Sequence, residues 1–169
     1  MKNVLIIGTT GQDGIYLSEH LLEKGYNIFG IRRPSTLPES SLSRIKSYNQ
    51  DVYNSITWLY ADLADGSSLR RSIELSQPTY IYNLGAQSHV RLSFEVPEHT
   101  ANVNALGFIR LLDAIRGIHA EKDISIYQAS TSEMFGNSGQ SVQNLDTPFK
   151  PLSPYASSKL YAHNVALNY

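Results

Sequence analysis

At 169 residues the chain has the length of one domain, enough to bury a substantial core. A net charge of -1 gives no basic excess for nucleic acid, and no apolar run nears the ~20 residues of a membrane span. Cysteine is absent, which excludes a disulfide framework and thiolate metal sites; the five histidines are scattered without ligand spacing, so no metal is expected.

In chain order, Val4, Leu5, Ile6 and Ile7 form a short continuous apolar run ending in glycine, the pattern of a strand buried on both faces of a parallel sheet. The run is too short for a signal peptide and leads into a glycine turn, so the expected location is cytoplasmic. Residues 15–23 carry Leu17, Leu21 and Leu22 at helical spacing, closed by Lys24 and Gly25. A second strand is expected over 26–31. Residues 34–54 are the least regular stretch, with a short helix around 42–48. A third strand over 56–60 leads into a helix over 69–75 that Pro78 stops. A fourth strand covers 80–84. A long helix follows over about 97–116, with Val103, Leu106, Ile109, Leu111, Leu112 and Ile115 as its apolar positions. The fifth strand is 124–128, a loop occupies 136–154, and a last helix starts at Pro154.

Strands alternating with helices predict an α/β fold: a doubly wound parallel sheet in the order 3-2-1-4-5, with ligands at the carboxyl ends of the strands. Tyr169 falls about four turns into the last helix with neither a glycine cap nor a following strand. The chain therefore reads as the front part of something longer.

The chemistry-bearing motifs fall at those carboxyl ends. GTTGQDG (8–14) puts Gly8, Gly11 and Gly14 between a buried strand and a helix, where the backbone can turn tightly and approach a pyrophosphate at the helix N-terminus. Thr10, Gln12 and Asp13 are counted with this cofactor turn; the alternative is a plain glycine-rich turn. A dinucleotide without a 2′-phosphate would call for an acidic residue after the second strand. Arg32 and Arg33 stand there instead and can pair bidentately with a 2′-phosphate, which favours NADP; the alternative is a solvated basic patch. Ser35 is grouped with them. Asp62 and Leu63 suit an adenine edge, although Asp62 could equally cap the next helix. After the fourth strand, Leu84, Gly85, Ala86, Gln87 and Ser88 can lie against a cofactor, with Ser88 also near substrate. His89 reads as structural.

After the fifth strand, Thr131 can hydrogen-bond a substrate oxygen. Glu133 exceeds the needs of simple hydride transfer and is a candidate base for elimination; its alternatives are an ion pair or a turn cap. Tyr155 and Lys159, four apart on a helix, share one face. An ammonium beside a phenol, with a nicotinamide ribose nearby, favours the phenolate and makes Tyr155 a usable acid or base; alone, such a pair is usually a solvated helix face.

Together, GTTGQDG (8–14), Arg32 with Arg33, Asp62 with Leu63, NLGAQSHV (83–90), QASTSE (128–133), Thr147 with the following Pro-Phe, and SPYASSK (153–159) resemble the extended short-chain dehydrogenases acting on nucleotide sugars, and among them the GDP-mannose 4,6-dehydratase family. The resemblance covers essentially the whole chain. It implies a Rossmann-type domain over 1–169 carrying the catalytic set Thr131, Glu133, Tyr155 and Lys159, with most of the substrate-binding part beyond Tyr169. It also implies tightly held NADP, GDP-mannose as substrate, and a homo-dimer or homo-tetramer in which loop 32–35 reaches a neighbouring subunit. His99 stands where the family usually has a tyrosine, so no cofactor contact is carried over there. A related epimerase or reductase would share Thr131, Tyr155 and Lys159 but usually lack a base at 133. The third reading is a cofactor-binding module with no activity of its own, and the isolated 169-residue chain is expected to be inactive.

Overall fold

The computed structural model describes residues 1–33, 38–118, 123–139 and 142–169. Strands β1 (Asn3–Ile7), β2 (Asn27–Arg32), β3 (Thr57–Tyr60), β4 (Tyr80–Asn83) and β5 (Ser125–Gln128) form one parallel sheet in the order β3-β2-β1-β4-β5. The helices are α1 (Gln12–Glu23), α2 (Pro38–Tyr48), α3 (Gln50–Ser55), α4 (Gly66–Ser76), α5 (Val90–Glu95), α6 (Pro97–Ala101), α7 (Gly107–Ile118) and α8 (Pro154–Ala166).

The period of two in β1 accounts for the layering. Val4 and Ile6 pack with Ile15 and Leu21 of α1, Ile45 of α2 and Val52 of α3. Leu5 and Ile7 face the other way, onto Leu69 and Ile73 of α4, Phe108, Leu111 and Leu112 of α7, and Ala162 of α8. Both faces of the central strand are therefore buried, and each such side chain contributes roughly 1.5–3 kcal/mol. The four consecutive apolar residues of β1 reflect that two-sided burial.

The helical stretch from 97 to 118 differs from expectation at its middle. Asn102–Leu106 forms a π-helical turn between α6 and α7. The wider turn shifts the register of the apolar stripe. Leu106, expected on the buried face, is consequently 47% exposed, and Phe108 takes the core position at 1%. Two short helices were also not expected. Asn49 caps α3 by accepting from the Asp51 and Val52 amides, and His89 caps α5 with its ring nitrogen, which accepts from the Leu92 amide at 3.2 Å. His89 is thus structural, as the sequence suggests. Among the described residues no helix is long and apolar enough to cross a membrane.

Candidate active site

The glycine turn is set by close backbone approach. β1 lies in register with β4, Ile7 opposite Asn83, so Gly8 emerges beside Leu84 and Gly85. Gly8 has φ +89°, and a Cβ there would stand 2.9 Å from Gly85 N. A Cβ on Gly14 would stand 2.4 Å from Gly8 O, so only glycine lets the start of α1 sit against the turn. Thr9, fully buried, donates from Oγ1 to Ile6 O at 2.7 Å and pins the turn from beneath. Gly11 offers α1 no side-chain cap, and Gln12 and Asp13 are exposed in its first turn; Thr10 is half-buried. The free amides of that turn and the cradle that a Cβ would fill suit a pyrophosphate.

Arg32 closes β2 opposite Tyr60 of β3. Its guanidinium stacks on the Tyr60 ring, 4.0 Å from the centroid, and Nη2 donates to the Tyr60 hydroxyl. Its Nε is buried without a partner. A half-buried guanidinium with a donor unspent is not a solvated charge, and it fits an anion beyond the end of β2. Arg33 is exposed; Ser35 lies outside the described residues.

Asp62 does not cap α4. Its carboxylate accepts from the Ala64 amide at 2.8 Å, and Asp65 is the cap, accepting from Ser67 N at 3.0 Å. That bonding to Ser67 holds Asp65 below the usual carboxylate pKa. The Leu63 side chain is 6% exposed and belongs to the core beside Gly107 and Gly85. Leu63 thus packs into the core, and its carbonyl accepts from Arg110 Nη1 at 3.3 Å.

The loop after β4 is tied down by a residue the sequence reading missed. Asn104, in the π-helical turn and 3% exposed, accepts from Gln87 N at 2.8 Å and donates to Gln87 O at 3.0 Å and Ser158 Oγ at 3.1 Å. Ser158 Oγ in turn donates to Tyr155 O at 2.7 Å. The signal was a lone amide between Val103 and Ala105 on an apolar face. Gln87 ties the loop to α6 with its side chain, donating to Thr100 Oγ1 and accepting from the His89 amide. Leu84, Gly85 and Ala86 are half-buried beside the glycine turn, and Ser88 is exposed.

The exits of β4 and β5 are level, because Asn83 pairs in register with Gln128 and donates Nδ2 to its Oε1 at 2.7 Å. Thr131 is extended and accepts from the Glu133 amide at 3.2 Å, capping a 3-10 turn over Ser132–Met134. That turn buries Met134 and leaves the Glu133 carboxylate exposed. Glu133 is therefore the capped residue, with Thr131 as the cap. α8 packs against this turn and against β5. Ser153 starts α8 by accepting from the Ala156 amide at 3.0 Å, which fixes Tyr155 in its first turn. Tyr155 is 8% and Lys159 4% exposed, so this face of α8 is not solvated. Lys159 Nζ donates to Ala129 O at 2.9 Å, and burial pulls its pKa down to about 8.

A cleft of about 720 Å³ lies at the free edge of β5 between α7 and α8, lined among others by Leu112, Ile126, Ser130, His163 and Leu167, so it borders the chain that leaves β5 towards Thr131. The glycine turn does not open into it. Among the described residues no group of three or more His, Asp or Glu could hold a metal ion.

A family model for GDP-mannose 4,6 dehydratase matches residues 5–169. The chain belongs to that family. A GDP-mannose 4,6-dehydratase of Yersinia enterocolitica is 49% identical over 170 residues, covering 100% of this chain and 46% of the relative. One of Drosophila melanogaster is 46% identical, covering 99% of this chain and 43% of its own length. The chain thus spans less than half the length of these relatives. Two solved structures share the fold. A dTDP-glucose 4,6-dehydratase from Streptomyces venezuelae with NAD bound superposes with TM-score 0.80 at 22% identity, covering 98% of this chain and 51% of that one. A UDP-glucose 4-epimerase from Stenotrophomonas maltophila with bound NAD gives 0.84 at 18%, covering 99% and 48%. Activity is to be measured on a protein of the relatives' full length that carries these residues, the full-length protein.

Proposed function

We propose that the chain is the cofactor-binding and catalytic part of an NADP-dependent GDP-mannose 4,6-dehydratase. The observation that carries this reading is the exposed Glu133 carboxylate, set by the Thr131 cap on the turn against which α8 packs with Tyr155 and Lys159. Family membership supports GDP-mannose as the substrate. A fold shared with epimerases does not call for a carboxylate base in this position, whereas elimination of water does.

The residues present fit a dinucleotide: the glycine cradle and α1 N-terminus for the pyrophosphate, Arg32 and Arg33 for a 2′-phosphate, Asp62 for the adenine edge, and the backbone of Leu84, Gly85 and Ala86 along its length. When bound, NADP would accept a hydride from sugar C4 and return it to C6. Tyr155 takes the proton of the C4 hydroxyl, and the Lys159 ammonium supports the negative charge that develops on the phenol. Thr131 hydrogen-bonds the sugar oxygen, with Ser88 nearby. The C4 ketone acidifies the C5 proton; Glu133 removes it and passes it to the departing C6 hydroxyl, which leaves as water. C5 takes up the second proton from the Tyr155 side or solvent as C6 gains hydride. The product is GDP-4-dehydro-6-deoxy-mannose, and the net change is loss of one water. A homo-oligomer and a cytoplasmic location belong to the same proposal.

Incubating the full-length protein with GDP-mannose and no external reductant is expected to yield that product. A C4 epimer, or a requirement for stoichiometric reductant, would reject the dehydratase reading in favour of an epimerase or reductase.

The preference for NADP is expected to reside in the arginines. A charge-assisted hydrogen bond contributes about 1.5–3 kcal/mol, so Arg32→Ala with Arg33→Ala should weaken NADP binding at least about tenfold. NAD binding should change little. Calorimetry finding the preference for NADP unchanged in the double variant would remove the 2′-phosphate contact.

A further inference from the structure

We propose that His163 is a positioning residue that sets where Thr131 and Glu133 stand relative to Tyr155. The inference rests on the reading of those three as reacting groups. Tyr155, Lys159 and His163 follow one another at intervals of four along α8 and so lie along one face. Two of them reach the chain leaving β5 at successive residues. Lys159 Nζ donates to Ala129 O, and His163 Nδ1 shares a hydrogen bond of 2.9 Å with Ser130 Oγ. Ser130 directly precedes Thr131, which caps the turn carrying Glu133.

The same ring also braces the far end of that turn. His163 meets Phe149 edge-on, with centroids 5.5 Å apart at 77°, and Phe149 packs on Phe135 at 5.2 Å. Phe135 directly follows Met134, the last residue of the turn, and Lys150 N donates to Met134 O at 2.9 Å. One side chain thus bonds to Ser130 in front of the turn and packs on Phe149, which in turn packs on Phe135 behind it. A histidine that only filled helix-packing space would not need a polar bond to the residue beside the cap. Misplacement of reacting groups by about 1 Å can cost on the order of 10²-fold in rate, so a brace at this point bears on turnover.

The test separates the bond from the ring. His163→Phe keeps the aromatic contact and loses the bond to Ser130; His163→Gln offers a hydrogen-bonding group without the ring; Ser130→Ala removes the bond from the other side. In the full-length protein, His163→Phe and Ser130→Ala are each expected to lower kcat about tenfold, with KM and NADP affinity unchanged. The double variant should lose no more than either single one, and His163→Gln should recover the part of the rate carried by the bond to Ser130 but not the part carried by the ring. Amide exchange over residues 130–135 needs no substrate and should rise in His163→Phe and Ser130→Ala and fall back in His163→Gln. Unchanged exchange, fully additive losses, or a rate loss that merely follows thermal stability would overturn the role of His163. Should His163→Phe fail to fold, Ser130→Ala reads the same bond. Inactivity of the unsubstituted protein on GDP-mannose would instead count against the proposed function, while exchange would still decide for or against His163.

Discussion

Glu133→Gln in the full-length protein is expected to stop dehydration and leave NADP binding intact. The amide keeps the size of the carboxylate and cannot accept the C5 proton. General-base catalysis is typically worth about 10²–10⁴-fold, and the loss should fall on kcat, not on cofactor affinity. The fold should tolerate the change, because the turn is held by the Glu133 backbone amide on Thr131 Oγ1 and by buried Met134, while the Glu133 side chain is exposed. Solvent deuterium should enter C5 of the product with the unsubstituted protein and not with the variant. Near-normal turnover in Glu133→Gln would remove this residue from the mechanism.

Lys159→Met should lower turnover by about a hundredfold or more and also change how stability responds to pH. The folded chain holds Lys159 near pKa 8, against 10.5 in the absence of burial. Below pH 8 the lysine is charged in both folded and unfolded chains, and the cost of burying that charge is fully present. Between those two values the unfolded chain binds more protons than the folded one, so stability rises with pH across that window. From pH 7 to pH 9.5 the rise attributable to Lys159 is about 2 kcal/mol. Met keeps the long stem and has nothing to titrate, so this part of the slope should vanish. The tyrosines and other lysines are common to both chains and cancel in the difference. Urea unfolding of the two chains at both pH values reads the effect; parallel slopes would show that Lys159 is not held in the buried, charge-disfavouring setting described here.

What could be read in the sequence follows from how local each signal is. The run Val4 to Ile7, buried on both faces, and the glycine at each close approach are single-segment patterns, and with the alternation of elements they lead to the strand order observed. Tyr155 and Lys159 share a helix, so their common face follows from spacing alone. Harder to read were arrangements that depend on partners distant in sequence. Asn104 shows its role only when the loop at Gln87 and the helix at Ser158 are brought to it. His163 looks like any surface histidine until β5 delivers Ser130 beside it. Leu106 is exposed because the π-helical turn breaks the 3.6-residue period that would bury it. The motif points Leu63 towards a cofactor, and only the fold shows that its side chain packs into the core beside Gly107 and Gly85. Asp62 and Asp65 lie close together, and composition alone could not say which one caps α4.

The central claim is that one set of groups removes hydrogen at C4, eliminates water across C5 and C6, and ends with hydrogen returned at C6. Mass and NMR analysis of the product from GDP-mannose deuterated at C4, with NADP supplied and no reductant, tests it most directly. The account predicts the C4 label at C6 of the same sugar, one solvent-derived hydrogen at C5 and no net reduction of NADP. Label lost to the free cofactor pool, label returned to C4, or a product that retains its C6 oxygen would contradict it.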